Sequence, residues 1–216
     1  MTKYVYKFGN GTAEGDGSQK NLLGGKGANL AEMARLGLPV PAGFTISTDC
    51  CNDYMKTGDY PETLEAEVEK ALKQTEDIMG MKFGDPDDPL LVSCRSGARK
   101  SMPGMMETVL NVGLTTQTIP GLIKKTGNER FVWDSYRRLI TMFADVVMEK
   151  AEGLEPEEGQ EIRAQLDAIM DQMKEEKGYS GDTDFTAEDL KILSEKFKDK
   201  VKEVIGTDFP DDPKTQ

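Results

Sequence analysis

The sequence predicts an α+β fold whose mixed front half, residues 1–114, gives way to an acidic helical part, residues 115–206. Three observations carry that reading. Up to about residue 114, short apolar runs bounded by glycine, proline and acidic residues alternate with helical patterns. From about Thr115 the hydrophobic period becomes helical and stays so. Charge follows the same division: residues 1–150 hold 18 Lys/Arg against 20 Asp/Glu, while residues 151–216 hold 9 against 19.

Taken in order, Met1–Phe8 alternates polar and apolar residues and reads as an edge strand. The segment Gly9 to Gly17, with four glycines in nine residues, reads as a surface hairpin or loop, although a nucleotide loop would have the same composition. Lys26 to Leu36 reads as a short helix with Leu30, Met33 and Ala34 on one face and Gly37 as its stop. Leu38 to Gly43, with prolines at 39 and 41, forces an extended turn before a strand at Phe44–Ile46. Helices are expected over Asp49–Lys56 and Pro61–Met79, then a buried strand over Pro89–Arg95 and another over Thr108–Val112.

The later helices are expected over Glu129–Lys150, with a stripe of Tyr136, Leu139, Ile140, Phe143, Val146 and Val147, and over Glu157–Lys177, with Ile162, Leu166, Ile169, Met170 and Met173. Thr186 with Asp189 three residues on is a capping-box signature. The helix it opens uses Leu190, Leu193, Phe197, Val201 and Val204 and ends at Gly206. Residues 207–216 read as a linker that stops in mid-course.

Composition excludes several functions. No stretch approaches the ~20 apolar residues that span a bilayer, and the N-terminus has no secretory apolar region, so a cytoplasmic protein without membrane partners is expected. Cys50, Cys51 and Cys94 make no Cys-x-x-Cys pair and are expected to be structural thiols. With no histidine, the chain has no Ser-His-Asp triad and cannot itself carry a phosphohistidine. A net charge of −12, concentrated in the second region, repels nucleic acid.

Two segments carry chemistry. Gly24-Gly25-Lys26-Gly27 sets a lysine between glycines at a helix start, which combines a cation, close backbone approach and exposed amides suited to a phosphate. It is not a P-loop, because Lys20 and Gly27 stand where that pattern needs Gly and Ser/Thr. A solvated lysine beside a helix-start glycine pair would look the same. The second segment, Val92 to Met106, holds Arg95, Arg99 and Lys100 and no acid, with Arg95 at a strand end and a loop of glycines and hydroxyls beyond it. A flexible basic turn is the plain alternative.

Together with the Gly37-Leu38-Pro39-Val40-Pro41-Ala42-Gly43-Phe44 turn, the Ser101-Met102-Pro103-Gly104-Met105-Met106 run and Asp134-Ser135-Tyr136-Arg137-Arg138, these segments resemble the pyruvate phosphate dikinase family, in the same order and at its spacing. The resemblance covers essentially the whole chain and is strongest over residues 20–140. It implies the N-terminal part of an ATP-grasp nucleotide-binding domain in an enzyme that turns ATP, phosphate and pyruvate into AMP, diphosphate and phosphoenolpyruvate. It assigns Lys26 and Arg95 to the ATP phosphates as catalytic cations, and Gly97, Ser101, Gly104 and Thr108 to a phosphate-covering loop.

The family's magnesium ligands, its phosphohistidine domain and its pyruvate-binding domain are absent, so the resemblance implies a fragment of a homodimeric enzyme that is inactive alone. The alternatives are the same fragment of a phosphoenolpyruvate synthase, which uses water as second acceptor, or a non-catalytic nucleotide-binding or interaction module.

Overall fold

The computed structural model describes residues 2–97 and 107–216, which form two compact units. The first runs to Met81 and takes in the chain at residues 95–97 and 107; the second holds Lys82–Cys94 and Thr108–Gln216. The division falls at Met81/Lys82, ahead of the change in hydrophobic period, because Val109 and Val112 lie in the same core as the later helices. The architecture is α+β.

The first unit is built on strands β1 (Val5–Gly9), β2 (Thr12–Ala13) and β3 (Gly43–Ile46), in the order β2-β1-β3 and antiparallel throughout. The N-terminal strand expected at an edge is therefore the central one. Asn10 (φ 50°) and Gly11 (φ 73°) make the two-residue turn between β1 and β2, both left-handed as a hairpin matched to strand twist requires.

Alternate residues of β1 face opposite sides of this sheet. Val5 packs with Cys50, Leu64 and Ala71 on the side of helices α2 (Thr48–Thr57) and α3 (Leu64–Met79). Tyr6 packs with Leu23, Ala28 and Ala31 of helix α1 (Lys20–Arg35). The buried face of α1 is Gly27, Ala28, Ala31 and Ala34, while Met33 is exposed. Of the expected face Ala34 is buried, Leu30 half-buried and Met33 exposed, because small residues, not the larger apolar ones, fit against the sheet.

At its far end α1 stops as expected. Gly37 (φ 74°) donates to the Ala34 carbonyl and Leu38 to Met33, a Schellman arrangement. Helix α3 begins at Leu64, three residues after Pro61, which instead offers its carbonyl to the Leu64 amide at 2.9 Å.

In the second unit β4 (Lys82–Phe83) runs parallel to β5 (Pro89–Leu90), and β6 (Val92–Arg95) pairs with β7 (Thr108–Val112). The expected single buried strand over 89–95 is thus two short ones. Only Pro89 and Leu90 are buried, and Ser93 to Arg95 are exposed. The helices are α4 (Ile119–Thr126), α5 (Glu129–Phe143), α6 (Ile162–Lys177) and α7 (Ala187–Ile205). Their core joins Tyr136, Leu139, Ile140, Leu166, Leu190, Leu193 and Phe197.

Between α5 and α6 the chain is π-helical over Ala144–Ala151. Each i→i+5 turn takes up an extra residue, so the buried face passes to Ala144, Met148 and Glu149 and leaves Val146 and Val147 half-buried. Glu149, turned inward, accepts the Ile162 amide at 2.7 Å and so caps α6, whose own first flanking residue Glu161 makes no cap. The Thr186–Asp189 capping box forms as its spacing requires, but Val204, expected on the stripe, is exposed.

The tail is not a linker. Phe209 is 6% exposed and sets its ring edge-on to Tyr136 and Phe143 at 6.1 and 5.6 Å. Asp211 accepts the Thr116 amide at 2.9 Å, and Gln216 accepts from Gly113 at 2.9 Å and donates to Leu114 at 3.2 Å. Aromatic burial, which the prolines and aspartates around Phe209 mask in the sequence, holds it down. Among the described residues no helix is long and apolar enough to cross a membrane.

Candidate phosphate-binding site

Lys26 stands where a break in α1 puts it. Gly24 has φ 67° and ψ 169°, a conformation no helix contains, so the first turn at Lys20–Leu23 is separated from the helix proper that follows. Lys26 lies in the opening turn of that second piece, half-buried and with no ion-pair partner among the described residues. Its position is set by its neighbour. A Cβ on Gly27 would lie 2.6 Å from Thr45 Cγ2 and 2.9 Å from Thr45 Oγ1, so the helix start rests directly on β3.

Further contacts hold the same turn. Thr48 Oγ1 donates to the Asn21 carbonyl at 2.6 Å, tying in the start of α2. The Asp16 amide donates to Gln19 at 3.0 Å and the Gly17 amide to Glu32 at 3.1 Å, which presses the preceding loop onto α1.

Arg95 closes β6 and is exposed. Immediately after it, Ser96 directs both its amide and its hydroxyl to the Glu107 carbonyl, each at 3.0 Å. These two hydrogen bonds draw Ser96 and Glu107 together on either side of the basic loop. At Gly97, which follows, an added Cβ would have no atom of the described residues within 4 Å, and Thr108 opens β7 half-buried. Ser101 and Gly104 lie outside the described residues, as do Arg99 and Lys100.

Sequence reasoning missed the Ser96–Glu107 pinch, since a bond across eleven residues to a backbone carbonyl leaves no residue pattern. It also missed Gly24 as the break, for which the paired glycines were the available signal. Of the three cysteines only Cys50 is buried, where desolvation pushes its thiol up and keeps it unreactive; Cys51 and Cys94 are exposed. Among the described residues no group of three or more Cys, Asp or Glu side chains could hold a metal ion.

Residues 20–66, which span the Lys26 turn, β3, α2 and the start of α3, match the family model for the pyruvate phosphate dikinase AMP/ATP-binding domain. The whole chain is similar to curated relatives. It is 50% identical over 218 positions to the pyruvate, phosphate dikinase of Clostridium symbiosum, covering 100% of this chain and 23% of that protein. It is 46% identical to that of Rhizobium meliloti (strain 1021), over 100% of this chain and 23% of the relative. With the chloroplastic pyruvate, phosphate dikinase 1 of Zea mays the figures are 48%, 99% and 21%. The chain thus spans about a quarter of the length of the relatives it matches. Its Gly24–Gly27 turn falls inside the matched segment, and about half of its residues are shared along its full length, so the whole chain is similar to about a quarter of each of these pyruvate, phosphate dikinases.

Proposed function

We propose that this chain is the phosphate-binding front part of an ATP-grasp nucleotide domain within a longer, cytoplasmic dikinase. That enzyme converts ATP, orthophosphate and pyruvate to AMP, diphosphate and phosphoenolpyruvate. The observation that carries the reading is Lys26, half-buried and without an ion pair among the described residues, in the first turn after the Gly24 break. A cation held there by close backbone packing suits a polyphosphate, because phosphoryl transfer depends on positioning and charge neutralisation.

In this proposal Lys26 and Arg95 neutralise phosphate oxygens. Gly97, Ser101, Gly104 and Thr108 belong to the loop that covers them. Mg²⁺ would supply charge neutralisation at the same oxygens, but the described residues offer no acidic set to hold it. Its ligands and the histidine that accepts the phosphoryl group are assigned to other parts of the longer protein, since this chain has no histidine.

The test is Lys26→Ala and Arg95→Ala in the full-length dikinase carrying this segment, with diphosphate release as the readout. Loss of one charged phosphate contact costs about 2–4 kcal/mol of transition-state stabilisation, roughly 30- to 1,000-fold in rate. Near-normal diphosphate formation in both variants overturns the assignment.

A further inference from the structure

On the face of the first unit's sheet opposite α1, a cleft of about 270 Å³ is lined by Lys3, Val5, Lys7, Glu14, Glu67 and Lys70. Its two carboxylates are already engaged. Glu67 accepts the Tyr4 and Val5 amides at 2.9 and 3.0 Å and the Thr63 hydroxyl at 3.0 Å. Glu14 accepts the Lys7 amide at 2.9 Å and pairs with the Lys3 ammonium at 3.0 Å. Burial works to raise the carboxyls of both, and these donors, with the lysine charges, nonetheless bring them below the usual range.

The ammonium groups are less well served. Only 20% of the Lys7 side chain is exposed, yet its nearest carboxylate oxygen is Glu14 Oε1 at 3.8 Å, beyond hydrogen-bond length and already taken by Lys3. Lys70, one turn along α3 from Glu67, has no ion-pair partner among the described residues. Two ammonium groups that line one cleft, neither with a close carboxylate among the described residues, repel each other, and an anion between them would relieve that repulsion.

We propose that this cleft is an oxyanion site, in which Lys7 and Lys70 bind a phosphate or phosphomonoester group, on the other side of the sheet from Lys26. The two amides on Glu67 disperse its charge and Lys3 offsets Glu14, which leaves Lys7 and Lys70 to meet the oxygens. Such a ligand would join β1 to α3 and tighten the first unit.

The experiment is a two-dimensional NMR titration of the chain with sodium phosphate, and separately with methyl phosphate, at ionic strength held constant with chloride. Saturable shifts are expected at the amides of residues 4–8 and 67–70, with ~millimolar affinity. Binding should weaken about tenfold in Lys70→Gln, an exposed change that leaves the fold intact, and in Lys7→Gln, and stay unchanged in Lys26→Ala. Saturation by both probes marks the phosphate group itself as the ligand; saturation by methyl phosphate alone marks a phosphomonoester. Shifts that fail to saturate, or binding lost only in Lys26→Ala, overturn the proposal.

Discussion

Replacing Gly27 with alanine sets two effects of known size against each other. Helix propensity favours alanine over an interior glycine by about 1 kcal/mol. Packing opposes it, because the new methyl would sit 2.6 Å from Thr45 Cγ2 and 2.9 Å from Oγ1. Rotation of Thr45 cannot remove the clash. Two of its three staggered positions face Gly27, and its two heavy substituents must always fill at least one of them. The helix must therefore move off a strand that is paired to β1 along its length, an overpacking cost of about 1–3 kcal/mol. We expect Gly27→Ala to destabilise the chain by up to about 2 kcal/mol in urea unfolding followed by circular dichroism. In a Thr45→Ala background the sign should reverse, since only the propensity gain remains. Stabilisation by Gly27→Ala with Thr45 in place would refute the claim that α1 rests directly on β3, and with it the account of how Lys26 is positioned.

Three further outcomes are expected. Asp189→Ala should cost about 2–4 kcal/mol, because the carboxylate accepts from the Thr186 amide and hydroxyl, the Tyr179 hydroxyl and Lys177, and all lose their acceptor together. Burial would raise the Asp189 carboxyl, but the Lys177 ammonium and the Thr186 and Tyr179 donors hold it far below the carboxylate range. Its stabilisation is thus complete above the unfolded value near pH ~4 and is lost as pH falls below that; a flatter acid limb in Asp189→Asn, seen by circular dichroism across pH 2–6, would show it. Phe209→Ala should cost about 3 kcal/mol and raise the exchange rate of the Gly113 and Thr116 amides, which the tail covers; unchanged exchange would mean the tail is not docked in solution. Calorimetry of the 216-residue chain with Mg-ATP should give only ~millimolar binding, and labelled ATP should leave no acid-labile phosphate on it; tight micromolar binding would mean the site lies elsewhere.

The legible parts of this sequence were those in which one local signal decides the outcome. Thr186 and Asp189 gave both the start of α7 and its cap, Gly37 gave the end of α1, and the glycines near residue 10 gave a hairpin. The parts that failed were settled by partners distant in the chain. Met33 has the hydrophobicity of a core residue, yet α1 buries alanines because β3 allows only close approach. The π-helical stretch rests on one extra residue per turn, which periodicity averages away. Phe209 lies among prolines and aspartates that read as linker until the rings of Tyr136 and Phe143 are seen beside it. At the candidate site, the cation at a helix start was readable from glycine spacing, whereas the bond that closes the basic loop runs to a backbone carbonyl and carries no signature.

The cap on α6 has a consequence for how this chain tolerates change. Its donor is Ile162 and its acceptor Glu149, thirteen residues upstream, so the entry point of the helix is fixed from the preceding helical segment, while within the connection Gln160 and Gly159 add bonds to Gln165 and Glu161 at 2.7 and 2.8 Å. The connecting stretch over 152–161 is almost wholly exposed and is anchored at both ends. Lengthening an exposed loop between fixed ends costs little, about 0.6 kcal/mol for a doubling. Insertions, affinity tags or a protease site placed between Leu154 and Glu157 should therefore leave the rest of the second unit in register, which makes this stretch a natural place to label or cut the protein without disturbing the tail.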